Sequence, residues 1–241
     1  MSLDALEALF EERRGKKYLL ISKRRTAART LGKGCTLKGW RWFKMALKPS
    51  FTFKQSVNIE SNRTIVTDLL CLIERPGIDN LLDYLLETDY FTAPASTRFH
   101  NVCEGGLCQH SLNVTREFSK ENVKWQKPVP QESVLLCGIL HDACKIGAYA
   151  ETSIGYVKNK EFPKGHGKLS VSRIEEHIKL TQPEKNIILF HMELFGIYIY
   201  HEYSAWAIYK AIVGTPQVQA FASIDMADSK RKVDATQSRT T

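Results

Sequence analysis

An apolar run that ends in two side chains of metal-ligand type is the tightest constraint in this sequence. From Ser133 to Ile146 it reads Ser-Val-Leu-Leu-Cys-Gly-Ile-Leu-His-Asp-Ala-Cys-Lys-Ile, with His141 and Asp142 adjacent near its end. Burying a His and a carboxylate side by side costs free energy unless they are paired or hold a cation. Taken alone, the pair also reads as a core His beside an N-capping Asp. The rest of the chain must supply either the partners or the cation.

Periodicity makes the surroundings helical. Residues 64–74 read as a helix that Arg75-Pro76-Gly77 breaks. Ile78, Leu81, Leu82, Leu85 and Leu86 recur at helical spacing and predict an amphipathic helix over 78–88. Residues 89–106 form an irregular connector, and a helix starting near Leu107 carries His110. Gln131-Glu132-Ser133 opens the helix that reaches His141-Asp142. Residues 147–164 suit a short hairpin, placed near 149–162. Gly165-His166-Gly167-Lys168 leads into a helix running to about 180. Pro183 sits near the first turn of a helix over 184–195 that carries His191. Residues 197–213 read as helix, with a β-prone stretch at 197–200, and a last helix over 216–230 carries Asp225. The fold class expected is mainly α, a helical bundle with one short β-hairpin.

Charge divides the chain. Residues 1–63 hold 15 Lys or Arg against 5 Asp or Glu, a balance of +10, and residues 64–241 hold 19 against 21, a balance of −2; together these make the net +8. Leu3, Leu6, Leu9 and Phe10 predict a short helix, followed by a basic stretch over 13–48 that includes Trp40-Arg41-Trp42-Phe43-Lys44. Aromatics among basic residues can stack on bases while binding phosphates, so this arm is a candidate nucleic-acid contact. The expected organisation is a basic, partly disordered extension over 1–63, a folded domain over 64–230 and a disordered tail over 231–241. No apolar run approaches the ~20 residues a membrane span requires. The acidic, amphipathic start lacks the character of a secretory signal. The six cysteines include no C-x-x-C pair, which suits reduced thiols. The expected setting is therefore cytoplasmic, with no membrane partner.

Several helices each carry one ligand-type residue in an apolar context: His110, His141, Asp142, His166, His191 and Asp225. Four imidazoles and two carboxylates suit a divalent metal of intermediate hardness, and bundles build such sites from facing helices. Asp228 lies one turn past Asp225 and is an alternative to it. Lys145 follows Asp142 by three residues and suits a phosphoryl oxygen. Cys103 and Cys108 lie close to His110 and form a weaker zinc candidate. His177 reads as exposed on a charged helix and His201 as structural.

The pattern His110, His141-Asp142 and Asp225 resembles that of the HD-domain metal-dependent phosphohydrolases. The segments Gly105–Asn113, Leu140–Gly147, Gly165–Ser170, Phe190–Met192 and Ile224–Asp228 resemble the superfamily's ligand segments in order. Residues 75–78 through Phe99-His100 resemble the lead-in of a bacterial and phage HD hydrolase subgroup, which is distantly similar to the HD domain of certain bacterial 3′–5′ exoribonucleases. The resemblance implies that His110, His141, Asp142 and Asp225 hold a first metal. His166 and His191 would complete a second, with Asp142 as bridge. It implies Asp142 and Lys145 as catalytic, and Lys145, Lys168 and His100 as contacts to substrate. One or two divalent ions (Mn, Fe, Co, Ni, Zn or Mg) would activate water for hydrolysis of a phosphomonoester or phosphodiester. The balance of −2 over 64–241 favours a small nucleotide-like substrate over a nucleic acid. The alternatives are an HD-type nuclease on single-stranded RNA or DNA, recruited through 13–48, and a non-catalytic nucleotide-sensing module.

Overall fold

The computed structural model describes residues 57–153, 155–163, 165–193 and 203–230. The expected helix at 3–12, the basic stretch 13–48, the segment 197–200, His201 and the tail 231–241 lie outside the described residues. Among those described are eight α-helices and one two-stranded hairpin, a mainly α fold. The helices are α1 (Ile59–Leu70), α2 (Ile78–Glu87), α3 (Gly106–Asn122), α4 (Gln131–Leu140), α5 (His166–Glu175), α6 (Gln182–Phe190), α7 (Ala205–Gly214) and α8 (Gln217–Ser229). The strands β1 (Tyr149–Thr152) and β2 (Gly155–Lys158) pair antiparallel, Tyr149 opposite Lys158. No described helix is long and apolar enough to cross a membrane.

Local chemistry sets the ends. Asn58 caps α1 by accepting from Ser61 N–H at 2.8 Å, so this helix begins earlier than the apolar pattern at 64–74 suggested and stops at Leu70. A capping box opens α6: Thr181 Oγ1 accepts from Glu184 N–H while the Glu184 carboxylate accepts from Thr181 N–H at 2.7 Å. Pro183 occupies the first turn, where no N–H is missed. α5 stops at Glu175 rather than near 180, and α6 stops at Phe190 rather than 195. His177, expected on an exposed helical face, is instead half-buried beyond the end of α5, its ring 4.7 Å from that of Tyr84. Gly77 explains the close approach there: a Cβ on it would collide with the His177 carbonyl.

Helix α4 is the centre of the bundle. Ser133 through Leu140 are all buried, as expected for a helix that is apolar all round. It packs against α3, α6 and α1, while α8 packs against α3 and α6. Leu112, Phe118, Leu136, Ile187, Ile188 and Phe221 fill the space between them. Phe118 and Phe221 meet edge to face at 4.9 Å, a geometry the ring quadrupoles favour.

One buried ion pair ties the outer elements to this centre. Arg75, in the α1–α2 connector, forks onto both oxygens of Glu184, each at 2.8 Å, and reaches Glu132 at 2.7 Å. Ser133 donates to Glu184 at 2.7 Å. The Glu184 side chain is fully buried, so its charge is tolerable only because each oxygen is satisfied.

Candidate metal centre

His141 and His191 are placed by the same local device. Each follows directly on a helix end, α4 and α6, and turns its ring back onto a carbonyl three residues earlier. His141 Nδ1 lies 3.0 Å from Gly138 O and His191 Nδ1 lies 2.7 Å from Ile188 O. A carbonyl can only accept, so Nδ1 carries the proton and Nε2 presents its lone pair. The last carbonyls of a helix lack intrahelical partners, and here they serve to aim two imidazoles. His110, on α3, is aimed by a side chain instead: its Nδ1 lies 2.8 Å from Asp228 Oδ2. Asp225 and Asp228 were alternatives in the sequence, but the fold uses both, one on each nitrogen of His110, with Asp225 Oδ1 2.9 Å from Nε2.

The lone pairs converge. His110 Nε2 and His141 Nε2 are 3.3 Å apart, and Asp142 Oδ2 lies 3.6 and 3.5 Å from them. Asp225 Oδ1 is 3.7 Å from His141 Nε2. On the other side of Asp142, His166 Nε2 and His191 Nε2 are 3.1 Å apart, with Asp142 Oδ1 at 2.8 and 3.9 Å. Each oxygen of one carboxylate thus faces one histidine pair. The capping alternative for Asp142 is not seen, since its side chain caps no backbone N–H.

Two glycines allow the approach. A Cβ on Gly138 would stand 2.7 Å from Thr115 Cα of α3, and one on Gly167 would stand 2.8 Å from Leu189 Cα of α6. The first contact brings together the helices of His110 and His141, the second those of His166 and His191.

Electrostatics sharpen the reading. His110, His141, His191, Asp142 and Asp225 are all at most a few per cent exposed. Buried acceptors that face one another repel unless a proton or cation lies among them. Burial by itself would push the Asp142 carboxyl up, but Lys145, His141 and His166 together hold it well below the usual carboxylate range. Burial likewise opposes the His110 imidazolium, yet Asp225 and Asp228 outweigh it and raise His110 to about 9. Burial also opposes charge on His166, but Cys144 and Asp142 raise it to about 10. His191 goes the other way, to about 3, because it is buried and faces His166 and His141. Asp142 Oδ1, fully enclosed, accepts no aligned hydrogen bond although His166 Nε2 is near. These buried groups could hold a metal ion: His110, His141 and Asp142 form one set, His141, His191 and Asp225 a second, and Asp142, Cys144 and His166 a third. None of the three includes Cys103 or Cys108, so the zinc candidate built on them is not formed among the described residues.

The other expected contacts fall differently. Lys145 Nζ lies 2.6 Å from Asp142 Oδ2, reached through a 3-10 turn at Ala143–Lys145 rather than a continuous helix. His100 is buried, its ring 4.8 Å from that of His110 and both its nitrogens without partners. Burial and the neighbouring His110 lower it to about 4. Lys168 is exposed and sits over the Tyr203 ring at 4.9 Å, so Lys145 is the lysine in contact with the donor set. Cys144, which in the sequence suits a small hydrophobe beside the apolar run, has its Sγ 3.2 Å from His166 Nδ1; its place three residues after His141 was the available signal.

Set against family models, curated proteins and solved structures, the chain matches none. What stands is a mainly helical domain with buried His, Asp and Cys groups that could hold a metal ion.

Proposed function

We propose that the chain is an HD-type phosphohydrolase that cleaves a phosphomonoester or phosphodiester of a nucleotide or nucleotide-derived substrate. The observation that carries this reading is the division of Asp142: Oδ1 faces His166 and His191, while Oδ2 faces His110 and His141. The donor set fits divalent ions. Once His110 and His166 give up their protons to coordinate, Asp142, Asp225 and Asp228 against Lys145 would leave two negative charges in a buried cluster for the ions to balance. His110, His141, Asp142 and Asp225 would hold one ion, and His166, His191 and Asp142 a second. Bound there, the ions would supply Lewis acidity toward water and phosphoryl oxygen.

The chain's own residues would do the rest. Lys145 stays protonated because Asp142 outweighs the cost of its burial, and an ammonium has three N–H donors. One is directed at Asp142, which leaves others for a phosphoryl oxygen. His100 is neutral at pH 7 and offers its ring N–H beside His110. The side chains of His110, His141 and His191 are closed to solvent, which strengthens charge interactions around them.

The test is metal analysis of the purified protein, followed by p-nitrophenyl phosphate esters and a nucleotide panel with Mn²⁺, Co²⁺ or Ni²⁺. Turnover that depends on metal and disappears in Asp142→Ala is expected. No turnover with any metal, or turnover unchanged in that variant, would sink the proposal.

A further inference from the structure

The cluster of Asp142, Cys144 and His166 lies beside the proposed second-ion position and is chemically unlike it. We infer that Cys144, His166 and Asp142 form a site for a thiophilic cation, Zn²⁺ or Cd²⁺, that excludes the ion held by His166 and His191. Bond lengths of about 2.3 Å to sulfur and 2.0 Å to nitrogen, at a tetrahedral angle, place the two donor atoms about 3.5 Å apart. Cys144 Sγ and His166 Nδ1 are 3.2 Å apart, a few tenths of an ångström short, and a carboxylate oxygen of Asp142 completes a triad whose atoms all lie within 4.8 Å.

Three further features point to a ligand. The thiol is in no disulfide. The backbone is pinned, because Cys144 N–H donates to Ser170 Oγ of α5 at 3.0 Å, which holds the sulfur against the start of the helix that bears His166. Asp142 Oδ1 is enclosed and accepts no aligned hydrogen bond. There is also a way in: the His166 side chain is 33% exposed, whereas those of His110, His141 and His191 are closed to solvent.

Softness decides the occupant. Thiolate favours Zn²⁺ and Cd²⁺ strongly over Mn²⁺ or Mg²⁺, which prefer oxygen donors. Binding replaces the thiol proton, released to solvent, with a metal–sulfur bond. His166 would meet the thiophilic ion through Nδ1 and the second ion through Nε2; a neutral imidazole has one lone pair, so an ion on Nδ1 leaves Nε2 protonated and withdraws His166 from the second-ion position. The competition rests on the proposed two-ion reading; the sulfur site itself does not.

Full-length protein is titrated with Cd²⁺ while the ultraviolet sulfur-to-metal charge-transfer band is followed, with and without excess Mn²⁺. A saturable band is expected in the wild type, with half-saturation moved up on the order of tenfold by Mn²⁺. Cys144→Ser should abolish the band, while Cys103→Ser, at a half-buried thiol outside the triad, should retain it. Cys144→Ala, checked by circular dichroism, guards against a folding defect in the serine variant. A band that persists in folded Cys144→Ser or Cys144→Ala, or none in the wild type, overturns the site. A Cys144-dependent band that Mn²⁺ does not shift overturns the exclusion. Neither outcome depends on phosphoester turnover, so failure here and failure of the hydrolase reading are separate results.

Discussion

Gly167→Ala is the most informative single change, because it adds one methyl group where two metal-bearing helix ends touch. The new Cβ would stand 2.8 Å from Leu189 Cα and 2.9 Å from its carbonyl carbon, where ordinary contact begins at 3.4 Å. The obstacles are backbone atoms of α6, so no side chain can swing aside, and α5 must part from α6 by roughly half an ångström. Overpacking of this kind costs about 1–3 kcal/mol, and the better helix propensity of Ala returns up to about 1 kcal/mol. The net loss should be about 0–3 kcal/mol, a drop in Tm of at most roughly 10 °C for a chain of this size. The same displacement widens the 3.1 Å separation of His166 and His191, and metal–ligand distances tolerate only about ±0.2 Å. The protein should therefore remain folded yet lose the ion assigned to His166 and His191, while that of His110 and His141 stays. Elemental analysis after equilibration with Mn²⁺ or Co²⁺, alongside a thermal melt, reads both quantities. Wild-type stoichiometry and affinity in Gly167→Ala would refute the idea that this glycine sets the spacing.

Gly138→Ala should act on the other pair, since its Cβ would press on Thr115 at 2.7 Å from Cα; metal analysis should show the His110–His141 ion weakened first. Asp228→Asn keeps an acceptor oxygen but removes the charge on His110 Nδ1, and calorimetric titration should show metal affinity down by about 10–100-fold. Metal affinity should rise with pH up to about 9–10, because protons compete for His110, raised to about 9, and His166, raised to about 10; a titration flat between pH 6 and 9 would contradict the lone-pair assignment. Arg75→Met leaves the buried Glu184 charge without its partner and should cost about 3–5 kcal/mol by urea unfolding. Burial would raise Glu184, but Arg75 and Ser133 outweigh it and lower its pKa. Its contribution is therefore complete above the unfolded value and fades as pH falls through the lower folded one. Wild type should lose stability below about pH 4.5, and Glu184→Gln, weaker at neutral pH, should be flatter there.

Helices and donors were readable for a common reason. The apolar residues of 78–88 recur at helical spacing, and a His or Asp set into an apolar stretch stands out in one dimension, so α2 and the six candidate donors could be named before any packing was known. Helix ends were read less well. α1 begins at Ile59 because Asn58 caps it, and α6 ends at Phe190 where His191 turns back on Ile188; both depend on a few local hydrogen bonds rather than on a period. The charged run Glu175-Glu176-His177 also misplaced His177, because a contact with Tyr84 on another helix decided its exposure.

The sequence by itself determined a mainly helical chain, the types of donor it could bring to a cation, and the concentration of positive charge before residue 64. Tertiary structure decided which atom of each donor faces which. It set Asp225 and Asp228 on opposite nitrogens of one imidazole, divided Asp142 between two histidine pairs, brought Cys144 against His166, and closed both helix contacts over a glycine. The reason is physical: periodicity is a property of neighbours along the chain, whereas the direction of a lone pair depends on partners from distant segments, and these meet only once the core has packed.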